Sequence, residues 1–241
     1  MSSRPATFVL VHGAWHGGWC WRDVAAILRS HGHHVTTPTL TGLGERVHLL
    51  TPQTDLATHV GDIEEHILHE DVRDIVLVGH SYAGAVIIGV ADRLRDRIAR
   101  MIFLDAAILY SGETLADQVP RDAMQKRLEE AKQSSSGLTM PAPPASAFGV
   151  QRPERIRWLE DNLTPHPIRT YLSSLHLQNQ PTNGLPVDYV ACIKPSYDTL
   201  QMSRDRAHEA GWPIHSLDTG HDALVTAPSP TVAMLEQLSV G

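Results

Sequence analysis

Residues 76–84 read Val-Leu-Val-Gly-His-Ser-Tyr-Ala-Gly, an apolar run that breaks on a serine framed by small side chains. Upstream, residues 74–78 (DIVLV) have the length and branching of a buried strand, and residues 82–95 (YAGAVIIGVADRLR) have the composition of a helix. A strand that reverses directly into a helix crowds the residues flanking the turn, and the small residues Gly79, Ala83 and Gly84 relieve that crowding. Ser81 is thereby lifted to the tip of the turn, next to a helix N-terminus whose dipole favours developing negative charge. The pattern differs from G-x-S-x-G only in Ala83 at the fifth place, and alanine is small enough for the turn. Read blandly, the same stretch is a turn with an incidental serine. A nucleophile needs partners elsewhere in the chain, and these are sought below.

Outward from this turn the chain alternates short apolar runs with helix-like stretches. Strands are predicted at Thr7–Val11, His34–Thr37, Ala99–Leu104, Val187–Ile193 and Pro213–Leu217. Helices are predicted at Trp21–Ser30, Asp55–Glu70, Thr199–Ala210 and Pro230–Leu238. In the second of these Leu56, Val60, Ile63 and Ile67 recur at helical spacing behind Thr54 or Asp55 as N-cap. Such alternation predicts an α/β fold with a mostly parallel central sheet and helices on both faces. The rhythm breaks over residues 111–185, which carry the Pro/Ser-rich string SSSGLTMPAPPASAF and two amphipathic pieces at Ile156–Leu163 and Ile168–Leu177. An irregular insert leaving the carboxyl edge of a sheet reads as a small cap over a binding site. The whole of 1–241 is therefore expected to be one domain with a cap insert.

Composition narrows the class. With 20 basic and 27 acidic residues the formal charge is −7, which supplies no basic field for nucleic acid. No stretch reaches the ~20 apolar residues of a membrane span, and no secretory signal is visible, so a cytoplasmic location is expected. Cys20 and Cys192 read as free thiols. The 15 histidines invite a metal reading, but His31, His33 and His34 (HGHH) and His66 and His69 (HILHE) lack a ligand pattern. They are read as solvated surface side chains, and no metal is assigned.

A nucleophilic serine needs a base, an orienting acid and a site for the oxyanion. His221, in the loop DTGHD after the last predicted strand, lies at the same carboxyl edge as Ser81 and is the candidate base. After the first strand, residues 11–18 (VHGAWHGG) provide a glycine-rich loop, and the backbone N–H groups of Ala14 and Tyr82 are the candidate oxyanion donors. The acid has two candidates. Asp105 ends the strand MIFLD, whereas Asp198 lies five residues past Ile193 and reaches the site only if its loop folds back. Asp105 is preferred because it needs no rearrangement. Asp218 and Asp222 adjoin the base and are placed to tune it. Trp15, Tyr82, Phe148 and Trp158 are candidates to line an apolar substrate pocket, beside the further tryptophans Trp19 and Trp21.

Together, FVLVHGAWHGGWCW, TPTLTGLGER, VLVGHSYAG, IFLDA and LDTGHDA resemble the α/β-hydrolase superfamily over most of the chain. The set is similar to a compact bacterial esterase branch related to plant methylesterases and hydroxynitrile lyases, and to hydrolases of pyrethroids and of carbamate esters such as carbendazim. The order Ser then His matches that superfamily, and the branch often reads LDA where Asp105 stands. The resemblance implies a serine hydrolase working through an acyl-enzyme on a small apolar or aromatic ester, carbamate esters included, with no cofactor. Its alternatives are a hydroxynitrile lyase or a non-catalytic small-molecule receptor. The lyases in question carry threonine at Gly13 and lysine at Asp222, and both positions here favour the hydrolase. Oligomeric state is not readable from these residues.

Overall fold

A computed structural model describes residues 5–239; the first four and last two residues of the expected 1–241 unit lie outside the described residues. Strands β1 (Thr7–Val11), β2 (His34–Thr36), β3 (Ile75–His80) and β4 (Ile98–Leu104) alternate with helices α1 (Arg22–Ser30), α2 (Leu56–His69) and α3 (Ala83–Leu94). An excursion follows, with α4 (Arg121–Ser135), β5 (Thr139–Met140), α5 (Pro153–Asn162), β6 (His166–Pro167) and α6 (Arg169–Leu172). The regular pattern resumes as β7 (Val187–Cys192), α7 (Gln201–Glu209), β8 (Ile214–Leu217), α8 (Ala223–Thr226) and α9 (Pro228–Ser239). Six strands form one sheet in the order β2-β1-β3-β4-β7-β8, with every pairing parallel.

Phe8 through Val11 and every residue of β3 are buried, which requires cover on both faces and explains why these strands read as unbroken apolar runs. The cover comes from helices whose apolar stripes match the sequence pattern. In α2 the buried positions are Leu56, Val60, Ile63 and Ile67, joined by His59. Its start is fixed by a reciprocal cap, in which the Thr58 amide donates to Asp55 Oδ1 at 2.9 Å and the Asp55 amide donates to Thr58 Oγ1 at 3.2 Å. Among the described residues no helix is long and apolar enough to cross a membrane.

The strand order reverses between β1 and β3. The chain runs outward from β1 to β2 and then returns to lay β3 on the other side of β1, so the loops after β1 and β3 diverge and leave a crevice at the carboxyl edge. A Cβ at Gly13, just after β1, would stand 2.9 Å from Ser81 Cβ, so glycine is what lets the two loops meet.

Residues 111–185 depart from the sequence expectation in three ways. Arg121–Ser135 is helical although no apolar stripe announced it, because only Met124 and Ala131 are buried. The piece predicted at Ile168–Leu177 is helical for a single turn, Arg169–Leu172. A short antiparallel ladder, Thr139 with Pro167 and Met140 with His166, joins two segments within the excursion.

The surface reading of the histidines also needs correcting. His33 is buried; its Nδ1 accepts the Ala6 amide at 3.1 Å, and its Nε2 donates to Glu236 at 3.1 Å. His12, His16, His59, His80 and His166 are buried as well. An imidazole satisfied by backbone and side-chain partners tolerates burial, and sequence periodicity carries no sign of such partners.

The turn at Ser81 is tight and stitched on both sides. Ser81 has φ 55°, in the left-handed region. Its carbonyl accepts from the Gly84 amide at 3.1 Å and the Ala107 amide at 2.9 Å, and its own amide donates to the Leu104 carbonyl at 3.3 Å. A Cβ on Gly84 would lie 2.1 Å from the Ala107 carbonyl oxygen, a backbone atom with no freedom to swing away. Gly84→Ala is therefore expected to lower stability by about 1–3 kcal/mol, as overpacking does. Urea unfolding followed by circular dichroism checks this, and an unchanged midpoint contradicts it.

Candidate active site

Three loops at the carboxyl edge bring together a hydroxyl, an imidazole and a carboxylate. His221, from the loop after β8, has Nε2 2.9 Å from Ser81 Oγ and Nδ1 2.7 Å from Asp105 Oδ2. Asp105 is fully buried and His221 is 2% exposed. A buried carboxylate accepts only, so Nδ1–H donates to Asp105 and the Nε2 lone pair faces the serine hydroxyl. Asp105 itself has φ 42°, and its amide donates to the Val190 carbonyl of β7 at 2.7 Å.

Asp198 is not brought to the imidazole; its Oδ1 accepts from Ser196 Oγ at 3.3 Å where a short turn begins. The same loop contributes Tyr197, which sequence reasoning passed over. Its ring stacks on the His221 imidazole with centroids 4.2 Å apart and an 18° interplanar angle. Arg204 of α7 was also missed. It donates to the Tyr197 carbonyl at 3.2 Å and approaches Asp105 Oδ1 at 3.5 Å, linking the stacked ring to the carboxylate.

The glycine-rich loop after β1 is held by histidines. The His12 Nδ1–H donates to the Gly13 carbonyl at 2.8 Å, and its Nε2 accepts the Leu40 amide at 3.0 Å. Trp15 has φ 65°; its amide donates to His166 Nδ1 at 3.3 Å and its indole N–H donates to the Met140 carbonyl at 3.2 Å. The amides of Ala14 and Tyr82 donate to no acceptor among the described residues. Tyr82 follows the serine and Ala14 follows Gly13, where an added Cβ would lie 2.9 Å from Ser81 Cβ; Tyr82 is fixed further by its hydroxyl, which donates to His59 Nδ1 at 2.9 Å.

A second buried imidazole–carboxylate pair lies behind the first. His16 Nδ1 donates to the Ala14 carbonyl at 2.7 Å and Nε2 donates to Asp222 Oδ2 at 3.2 Å. Burial opposes charge on His16, but the Asp222 carboxylate outweighs it and holds the imidazole above its ordinary value. Burial likewise opposes charge on Asp222, and His16 overcomes it, holding the carboxyl below its ordinary value. Asp218, by contrast, is exposed and pairs with Lys194.

Ser81 opens on a cavity of about 30 Å³ whose lining includes Trp15, Tyr82, Tyr171 and Tyr197. Of the four aromatic candidates named from the sequence, Trp15 and Tyr82 line it. Phe148 is buried behind Trp15 with ring centroids 5.9 Å apart, and Trp158 packs against Trp19 at 5.2 Å and under Arg22. Neither touches the cavity, because both rings serve as packing between the excursion and the loop after β1. Tyr171, on the one-turn helix α6, was not foreseen.

A family model described as alpha/beta hydrolase family matches residues 8–234. A carbendazim hydrolyzing esterase of a Nocardioides species is 36% identical over 97% of this chain and 99% of its own length. A pheophorbidase of Raphanus sativus is 28% identical over 95% of this chain and 92% of its own. Among solved structures, an extracellular alpha/beta-hydrolase from a Paenibacillus species superposes with a TM-score of 0.85 at 23% identity, covering 98% of this chain and 100% of that one, a likeness of fold.

The histidines around the site also set the acid limit of the fold. Burial pushes His12 down to about 3 and His59 to about 4, and it holds His80 and His166 well below the ordinary 6.5. The unfolded chain binds protons at these four positions below pH ~6.5 while the folded chain does not, so each removes on the order of 1 kcal/mol of stability per pH unit of acidification. His16 has the opposite sign: its contribution is complete below 6.5 and is lost as pH rises through its raised value. Urea unfolding between pH 5 and 9 is expected to show stability falling steeply from pH 6.5 to 5 and more gently on the alkaline side. A flat profile from pH 5 to 7 contradicts this.

Proposed function

Because this chain belongs to the alpha/beta hydrolase family, we propose that it is a serine esterase cleaving small apolar or aromatic esters, carbamate esters included, through an acyl-enzyme. The observation that carries the reading is the continuous path from Asp105 Oδ2 through His221 to Ser81 Oγ, with links of 2.7 and 2.9 Å, beside two amides without acceptors. His221 Nε2 takes the Ser81 proton as Oγ attacks the ester carbonyl, and Asp105 steadies the imidazolium that results. The carbonyl oxygen, now anionic, receives the N–H groups of Ala14 and Tyr82. His221 returns its proton to the departing alcohol oxygen. It then activates water against the acyl-enzyme, which restores Ser81.

The similarity to the carbendazim hydrolyzing esterase, at 36% identity over nearly the full length of both chains, supports the ester and carbamate classes. Residues 111–185 act in this reading as a cap within a single domain, since they supply Leu115, Val119 and Tyr171 to the serine cavity. A C–C lyase that releases cyanide gains nothing from Asp222, a buried carboxylate one residue from the base.

A fluorophosphonate ester is expected to add once to the protein by intact mass, and not at all to Ser81→Ala. Asp105→Asn should lower kcat for 4-nitrophenyl esters by about 10³- to 10⁴-fold, as loss of the orienting carboxylate does, with unchanged circular dichroism. Asp198→Asn should leave kcat unchanged. Absence of both adduct and turnover removes the esterase reading and leaves a ligand-binding protein on the same fold.

A further inference from the structure

The cavity at Ser81, about 30 Å³, has room for little more than a water-sized group. An ester whose carbonyl reaches Ser81 must therefore keep most of its body elsewhere. An adjoining cavity of about 670 Å³ has the dimensions of a small-molecule site and shares Trp15, Arg127 and Tyr197 with the first. These three side chains form the neck between the chemistry and the space that can hold a substrate.

Arg127, on the polar helix α4, is the charged side chain common to both cavities. Its guanidinium carbon lies 5.7 Å from the ring centroids of both Trp15 and Tyr171, which places the cation between two aromatic side chains. Glu130, the carboxylate on the wall of the larger cavity, pairs with Lys126 at 3.8 Å, and Arg127 forms no ion pair among the described residues. Its Nη1 is shut off from solvent and meets no hydrogen-bond acceptor among the described residues. A buried guanidinium nitrogen without an acceptor is rare in folded proteins. In a chain of net charge −7 it is also a local exception in sign.

We propose that Arg127 is a specificity-determining residue that binds a carboxylate on the remote end of the substrate. The substrate class is then the half-ester of a dicarboxylic acid, with a short apolar spacer running from the ester at Ser81 to the neck, where Arg127 stands. This rests on the esterase reading above. The guanidinium edge offers paired N–H donors that a carboxylate accepts in a bidentate manner, while Trp15, Tyr171 and Tyr197 enclose the spacer.

The test compares mono-4-nitrophenyl esters of glutaric and adipic acids with neutral 4-nitrophenyl esters of equal acyl length, on the intact protein and after subtraction of the uncatalysed rate. Wild type is expected to favour the better half-ester by about 10- to 100-fold in kcat/KM, through KM, the range of a hydrogen bond to a charged group. Arg127→Met, which keeps the stem, should bring the half-ester-to-neutral ratio of kcat/KM to about one, and Arg127→Lys should restore part of it. Equal rates for both ester classes in wild type overturn the proposal. So does an Arg127→Met variant that slows both classes alike, which is the mark of a packing role. If no ester is turned over, the esterase reading fails by itself. Calorimetric titration with glutaric acid mono-anilide then decides the Arg127 claim. Binding lost in Arg127→Met supports it, and equal or absent binding overturns it.

Discussion

The carbonyl oxygen of Ser81 accepts from Gly84 in its own helix and from Ala107 in the loop after β4, while the Ser81 amide donates back to Leu104. These bonds join the turn that carries the hydroxyl to the loop that carries Asp105, two residues before Ala107. The serine and the carboxylate are thus set relative to each other by backbone before any side chain is placed. His221 has only to bridge a gap whose width is already fixed, and the stacked Tyr197 ring and the His80 donor to its carbonyl hold it there. The strain of φ 55° at Ser81 and φ 42° at Asp105 is borne by this cross-stitching.

Two buried carboxylates stand near His221, and the structure divides them. Asp222 follows the histidine in sequence but turns to His16, whose raised affinity for a proton absorbs its charge. Asp105 lies 116 positions away in the chain and faces His221 Nδ1 directly. The His221 imidazole therefore has one carboxylate partner among the described residues, Asp105.

What the sequence made legible follows from how local each feature is. The strand–turn–helix around Ser81, the run of β1 and the apolar stripe of α2 are written in neighbouring residues, and their forms match the reading. The choice between Asp105 and Asp198 was open because both end near the same sheet edge. It turns on whether the loop after Cys192 folds back far enough, a matter of tertiary packing, and that loop delivers Tyr197 to the histidine in place of a carboxylate. Helix α4 was invisible because a helix with two buried residues has almost no stripe to detect. The buried histidines and Arg127 were unreadable for a further reason, since their environment is assembled from segments more than a hundred residues apart in several cases.

Trp15 is gripped by the excursion at three points: its amide by His166, its indole by the Met140 carbonyl, and its own carbonyl by the Thr164 amide at 2.9 Å. The adjacent Ala14 amide is one of the two donors in the proposed mechanism. In that mechanism the excursion, which supplies Tyr171 to the serine cavity, is also the clamp beside a charge-stabilising donor. A substitution within residues 140–166 that loosens a tether is then expected to reach turnover as well as selectivity, so the two properties should move together.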